Sequence, residues 1–427
     1  MITTGVTGQP WRASITPWGA LEPWDDTPPI GWYVAADDRW HRPAEEQSVR
    51  QQRIEGTAVS ETRVRVPSGD VVQRIFSVAD AGGLTIIEVE NESTMPVAIA
   101  FDRRDVLTER PIVDVPIEGI DLPDGSFVVP LAHTATVRVA VAHGEQRSGP
   151  LPAVSSVMQV VRGWTSLTER ASRFVLPDGE RGSSLAAAVT AERCEIALGS
   201  IPRAADDAAG YLLALHELVR MGEAPDHWIP ELVDAIEQLA PERSWDADVA
   251  LEAAQRVLAV ADERRGGRDL AKIVAKRTPS ARPTSPPDGV RAIAWLETLL
   301  AQRSDLLPTG LPVAWLGQSL DVYGIPTDVG SAVSFAIRWH GERPAVLWEQ
   351  SGPPKPLTAS TLAPAWSSDE TTGETLWPVP PNAAEMIVPT SDDDVATDRS
   401  ATSSHQPPPT PPIAPPVVGD DEPGSFT

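Results

Sequence analysis

At 427 residues the chain can hold two or three compact domains, and a hydrophobic share of 41% supplies real cores despite 43 prolines. A formal charge of −25 repels phosphate backbones and anionic lipid surfaces, which argues against nucleic acid and peripheral membrane partners. The single cysteine, Cys194, excludes an intrachain disulfide, and no run reaches the ~18 apolar residues of a membrane span.

Residues 1–55 are rich in Trp and Pro. Trp11, Trp18, Trp24, Trp32 and Trp40 alternate with Pro17, Pro23, Pro28 and Pro29, a density that forbids helix and favours short extended pieces and turns. From about residue 56 the pattern has period two. Val64 and Val66 share a face, Pro67-Ser68-Gly69-Asp70 supplies a turn, and Val71 to Val78 returns as a strand. Ala81-Gly82-Gly83 turns the chain again. Further strands follow through Thr85, Ile87 and Val89, through Val97, Ile99 and Phe101, and through Phe127 to Leu131 and Val137 to Val141. Short strands with turn signals between them predict an antiparallel sandwich over 1–147.

Near residue 150 the period changes to 3.6. Helices are expected over 153–172, 184–198, the stripe Leu212, Leu215, Leu218 and Val219 with Gly222 as its stop, a segment entered at Pro230, 246–264, 268–277 and Val290 to Arg303. In the fifth of these, Glu252 and Arg256 make a favourable i,i+4 pair. Beyond residue 310 alternation returns. Val333, Phe335, Ile337 and Trp339 read as the cleanest strand, His340 to Pro344 as a turn, and Ala345 to Trp348 as the return, with Leu320 and Val322 in a preceding strand. So small a sheet needs a larger neighbour to pack against. The Pro-, Ser-, Thr- and Asp-rich end cannot offset its ordering entropy and is expected to be disordered. The fold class is therefore multidomain α+β: a Trp-rich entry plus sandwich over 1–147, a helical-hairpin domain of about seven helices over 148–305, a small C-terminal β segment over 306–378, and a disordered acidic tail over 379–427.

The common catalytic signatures are absent. No phosphate-cradling or dinucleotide-binding glycine loop appears. His216-Glu217 begins like a zinc-binding HExxH, but Arg220 stands where the second histidine must be. Gly317-Gln318-Ser319-Leu320-Asp321 lacks the closing glycine of a nucleophile elbow. The seven histidines lack ligand spacing, so neither metal nor cofactor is expected. Cys194 lies among helical signals and reads as a buried, inert thiol. Asp25-Asp26, Asp37-Asp38 and Asp206-Asp207 are sequence neighbours whose side chains point apart, whereas glycosidic chemistry needs two carboxyls ~5–9.5 Å apart across a cleft. Glu169, Glu192 and Glu195, on the first helical hairpin, are the carboxylates placed to approach such a cleft, against a simpler reading as solvated helix surface. Indoles either pack sandwich cores or stack on sugar rings. Packing is the reading favoured for the group, and Trp24, Trp32 and Trp40 are the candidate ligand platform. The opening MITTGVTGQPW has neither the basic nor the apolar region of a signal peptide, so a cytoplasmic location is expected.

A sandwich containing GDVVQRIFSVAD and LTIIEVENES, a linker GWTSLTERASRFVLPDG, helical hairpins and a closing VSFAIRWHGERPAVLWE resemble, over about 1–350, the bacterial six-hairpin glycosidases. That family places a supersandwich before an (α/α)₆ toroid and a small β domain, and the closing segment is similar to that of actinobacterial members and their relatives. The resemblance implies carbohydrate as the ligand class. A full toroid needs twelve helices, however, and only about 155 residues lie between 150 and 305, enough for about seven. The family takes its general acid and base from toroid loops, and no segment here carries either. The expectation is a truncated, non-catalytic relative that binds carbohydrate or a protein partner. The alternatives are an active glycoside hydrolase or phosphorylase with an abbreviated helical domain, and a scaffold whose acidic tail recruits partners. The sequence leaves the oligomeric state open.

Overall fold

The period-two stretches of the first 150 residues form three sheets in the computed structural model, which describes residues 1–113, 116–144, 147–381 and 383. The Trp-rich entry supplies the expected short extended pieces: Ile2–Gly5, Arg12–Ile15 and Leu21–Pro23 pair as one small sheet. A four-stranded sheet runs in the order Phe127–Leu131, Val97–Phe101, Trp32–Ala35, Trp40–His41. A seven-stranded sheet runs Gly149–Pro150, Leu107–Thr108, Thr136–Ala142, Leu84–Asn91, Gly69–Val78, Ser60–Val66, Arg50–Arg53, antiparallel except at its first pair.

Val64, Ile75, Ile87 and Val139 of the large sheet meet Trp32, Ile99, Phe101 and Phe127 of the four-stranded one, which makes the expected sandwich. The large sheet is also covered on its other face. Phe76, Val78, Leu84 and Ile86 pack beneath Val157, Val160 and Val161 of the first helix, α1 (Val157–Thr168). Double burial is why Ile75-Phe76 and Ile86-Ile87 are apolar on both faces rather than strictly alternating.

Ser156 caps α1 in a reciprocal box with Gln159. The helix ends at Thr168, short of the expected 172, because the chain turns into a strand, Arg173–Val175, that pairs with Leu320–Asp328. Six further helices follow: α2 (Gly182–Ala197), α3 (Ala208–Met221), α4 (Ile229–Leu239), α5 (Trp245–Val260), α6 (Arg264–Ala275) and α7 (Val290–Leu300). Among the described residues that makes seven α-helices, as the sequence predicts. Consecutive helices from α1 to α6 contact one another, as the expected hairpins require. α3 contacts α2, α4, α5 and α7 and occupies the middle of the group, buried on every side from Ala209 to Glu217.

The C-terminal strands form a five-stranded sheet in the order Arg173–Val175, Leu320–Asp328, Ser331–His340, Arg343–Ser351, Thr372–Leu376. A small four-stranded sheet contains the hairpin Ala301–Gln302 and Asp305–Leu306. Val333, Phe335 and Ile337 point into one continuous core with Leu212, Leu251 and Leu296 of the helices, so the helical region is the larger neighbour that stabilises this sheet. The tail expected over 379–427 lies, apart from residues 379–381 and 383, outside the described residues. Among the described residues no helix is long and apolar enough to cross a membrane.

Candidate functional site

Charged groups are concentrated where α2, α3 and α7 meet the strand Leu320–Asp328. Asp207 caps α3 by accepting from the Gly210 amide at 2.9 Å, and Gly222 stops it in the left-handed conformation. That frame places Glu217 and Arg220 one helical turn apart on a shared face. Arg220 Nη1 donates to Glu217 Oε1 at 2.7 Å and to Glu297 Oε1 of α7, also at 2.7 Å. From α2, Arg193 donates through Nε to Glu217 Oε2 at 2.6 Å and through Nη2 to the Ser172 hydroxyl at 2.6 Å. Ser172 in turn donates to Glu297 Oε1 at 2.6 Å, and Arg220 Nη2 to the Gly324 carbonyl at 3.0 Å. The arginine that spoils HExxH thus holds two carboxylates together.

Arg193 and the Glu217 side chain are only 1% and 3% exposed. Ions so deeply buried persist because the hydrogen bonds of the network satisfy their donors and acceptors. Burial alone would raise the Glu217 carboxyl, but Arg220 and Arg193 outweigh it and hold the group well below the usual carboxylate range. Burial pushes His216 the other way, far below an ordinary imidazole, and Arg220 and Arg256 reinforce that. His216 is therefore neutral at pH 7.

A cavity of about 40 Å³ lies against this network, lined by His216, Glu217, Arg256 and Glu297. It is large enough for ordered water and too small for a sugar. Glu252, Arg256 and Arg303 also line an adjoining groove of about 380 Å³ that continues past Thr327, Asp328 and Lys355. Within it Arg303 bonds Glu252 at 3.0 Å and Lys355 meets Asp328 at 2.7 Å. No tryptophan lines either space.

The predicted platform residues do not gather. Trp32 is 3% exposed in the sandwich core, with its indole N–H on the Trp18 carbonyl at 2.9 Å. Trp40 pairs with Ala35 across the sheet, which puts it on the face opposite to Trp32. Its N–H bonds the Glu118 carbonyl at 2.8 Å. Trp24 is exposed beyond the small three-stranded sheet and bonds the Ser14 hydroxyl at 2.8 Å. A joint platform of all three is thus replaced by one core residue and two separate surface ones, because strand alternation divides Trp32 from Trp40.

Of the candidate carboxylates, Glu169 is exposed and pairs with Arg173 at 3.0 Å. Glu195 reaches back to Arg53 of the large sheet at 2.6 Å. Burial, and then the charge of Glu195, raises the Glu192 carboxyl above its ordinary value. Glu192 and Glu195 stand side by side on α2, three residues apart, rather than opposed across a gap. Cys194 is fully buried, and burial pushes its thiol up to about 11, which leaves it protonated and inert at pH 7.

Arg193, Arg256, Glu297 and Thr327 were not singled out from the sequence as site residues. The available signals were the interrupted HExxH and the Glu252–Arg256 spacing, and both also describe an ordinary solvated helix. No known protein-family model matches this sequence, and no curated protein is significantly similar to it.

Proposed function

We propose that this chain is a binding protein of glycosidase-like segment order that holds carbohydrate, or a protein partner, without hydrolysing glycosidic bonds. The observation that supports the reading is the arginine clamp on Glu217 and Glu297. Both carboxylates lie 2.7 Å from the same Arg220 Nη1, so the two bonded oxygens are no farther apart than about 5.5 Å, which is also the upper end of a retaining glycosidase pair's spacing. In an enzyme that interval is filled by the scissile bond. Here a guanidinium fills it, and a carboxylate kept ionised by two arginines has no proton to give a leaving group.

Glu192 favours a second reading, hydrolysis, because a carboxyl raised by burial and then by a neighbouring acidic group is the electrostatic mark of a general acid. Its position beside Glu195 on a single helix face counts against it, since both groups approach a substrate from the same side.

Calorimetric titration of the full chain with α-glucan oligosaccharides, followed by assay of the same mixtures for released reducing ends, separates the readings. Saturable binding with no release is the expected result. Release that disappears in Glu192→Gln makes the chain a hydrolase, and absence of binding across the panel leaves only the protein-partner version.

A further inference from the structure

Within the groove between α5 and the C-terminal sheet, the charges do not balance. Arg303 is bonded to Glu252 and Lys355 to Asp328. Arg256 is different. Its side chain is 19% exposed, its guanidinium makes no hydrogen bond among the described residues, and its nearest carboxylate oxygen, on Glu252, is 4.0 Å away. Deeper in, Arg193 and Arg220 already use the oxygens of Glu217 and Glu297. A guanidinium partly withdrawn from water with open donors pays part of the desolvation penalty without the compensating bonds that stabilise its neighbours.

A second observation falls on the same groove. Thr327 is 4% exposed, lines the groove, and its hydroxyl has no hydrogen-bond partner. Buried hydroxyls in folded proteins are rarely left open, and an open one lining the same groove as an open guanidinium points to an acceptor bound there. Oxyanions match the planar guanidinium fork, which gives two parallel N–H bonds to one carboxylate or phosphate. The groove's volume of about 380 Å³ falls in the range of small-molecule sites, and Gln255 and Ser304 on its wall suit a hydroxylated body.

We propose that this groove binds a sugar bearing an oxyanion, with the oxyanion seated on Arg256 and Thr327. The inference rests on the carbohydrate-binding reading above and assigns its place and head group. Carboxylate and phosphate share the required chemistry, and the groove's carboxylates, Glu252 and Asp328, disfavour the more highly charged of the two.

The test is isothermal titration calorimetry on the full chain at low salt with glucuronate, glucose 6-phosphate and glucose as probes. At least one acidic sugar should bind about tenfold or more tightly than glucose, as expected for a charge-assisted bidentate contact. The tighter of the two names the head group. Arg256→Gln should reduce that affinity to the level of glucose, Thr327→Val should weaken it several-fold, and Arg256→Lys, which keeps the charge without the fork, should lie between wild type and Arg256→Gln. Circular dichroism and melting of each variant establish that it is folded, and Arg256→Gln is expected to melt close to wild type because the charge it removes has only a long ion pair, at 4.0 Å to Glu252, to lose. Equal affinity for glucose and both acids, or an Arg256→Gln variant that binds like wild type, overturns the oxyanion site and leaves non-catalytic carbohydrate binding intact. Failure of all three probes overturns it as well. If the α-glucans then bind, the carbohydrate reading stands; if they do not, both fall.

Discussion

Two histidines, one buried and one half-buried, show how side-chain environment sets the protein's response to pH. His143 stacks on Trp11 at 3.9 Å and shares a hydrogen bond with the Thr85 hydroxyl at 2.9 Å. Burial, which Arg12 reinforces and Asp25 opposes, lowers its pKa to about 4. His216 is lowered further, by burial and by the arginines around it. In the unfolded chain both rings take up protons at about pH 6.5. Below that value the unfolded state binds protons that the folded state refuses, so stability falls as pH drops, until His143 itself protonates near pH 4. The melting temperature of wild type is therefore expected to decline from pH 6.5 to 4, and that of His143→Gln to decline less steeply. Equal slopes for the two proteins contradict this account of His143. His143 did not stand out in the sequence and His216 did so only as the start of a broken HExxH, because seven scattered singletons carry no sign of which will be buried.

At the scale of elements, the helices were legible and their packing was not. Gly222 was expected to end α3 and does so at φ of 110°, with its amide on Val219 at 3.1 Å. Alanine there meets the steric cost of a left-handed backbone, and its Cβ would lie 2.6 Å from Arg170 Nη1. Gly222→Ala should lose about 1–2 kcal/mol in urea denaturation, whereas the same change at half-buried Gly267 of α6, where φ is not positive and nothing lies within 4 Å, should lose nothing. A loss below about 0.5 kcal/mol at Gly222 contradicts the cap assignment. What α3 did not announce is its central position. Leu212, Leu215 and Leu218 form a stripe, but Ala209, Gly210 and Ala214 are buried too, and small residues fit a crowded interior as readily as a surface. The tryptophans failed for the same kind of reason: composition marked them as important, while only strand register decides that Trp32 faces the core and Trp40 does not.

Across the whole molecule, the order of sheet, helices and sheet followed from where the apolar period changes. The joins did not. Arg173–Val175 leaves the end of α1 to become a strand of the C-terminal sheet, so the expected boundary at 305 separates segments that share one core. Such a strand is three residues long and has no period to read. The candidate site lies at this join. Its residues come from α2, α3, α5, α7 and Leu320–Asp328, and the sequence shows them only as ordinary helical charges and a strand threonine. A local motif search could meet just the broken HExxH, whose failure as a metal site is the reason Arg220 can clamp Glu217 and Glu297.

The account depends on that clamp leaving no proton for a leaving group. The most direct measurement is a ¹³C NMR titration of the Glu217 carboxyl in glutamate-labelled protein, assigned by comparison with Glu217→Gln. The carboxyl carbon should keep its ionised shift from pH 8 down to about pH 4, below the ordinary glutamate midpoint. A midpoint between about pH 5.5 and 7, the range of a general acid, would contradict it.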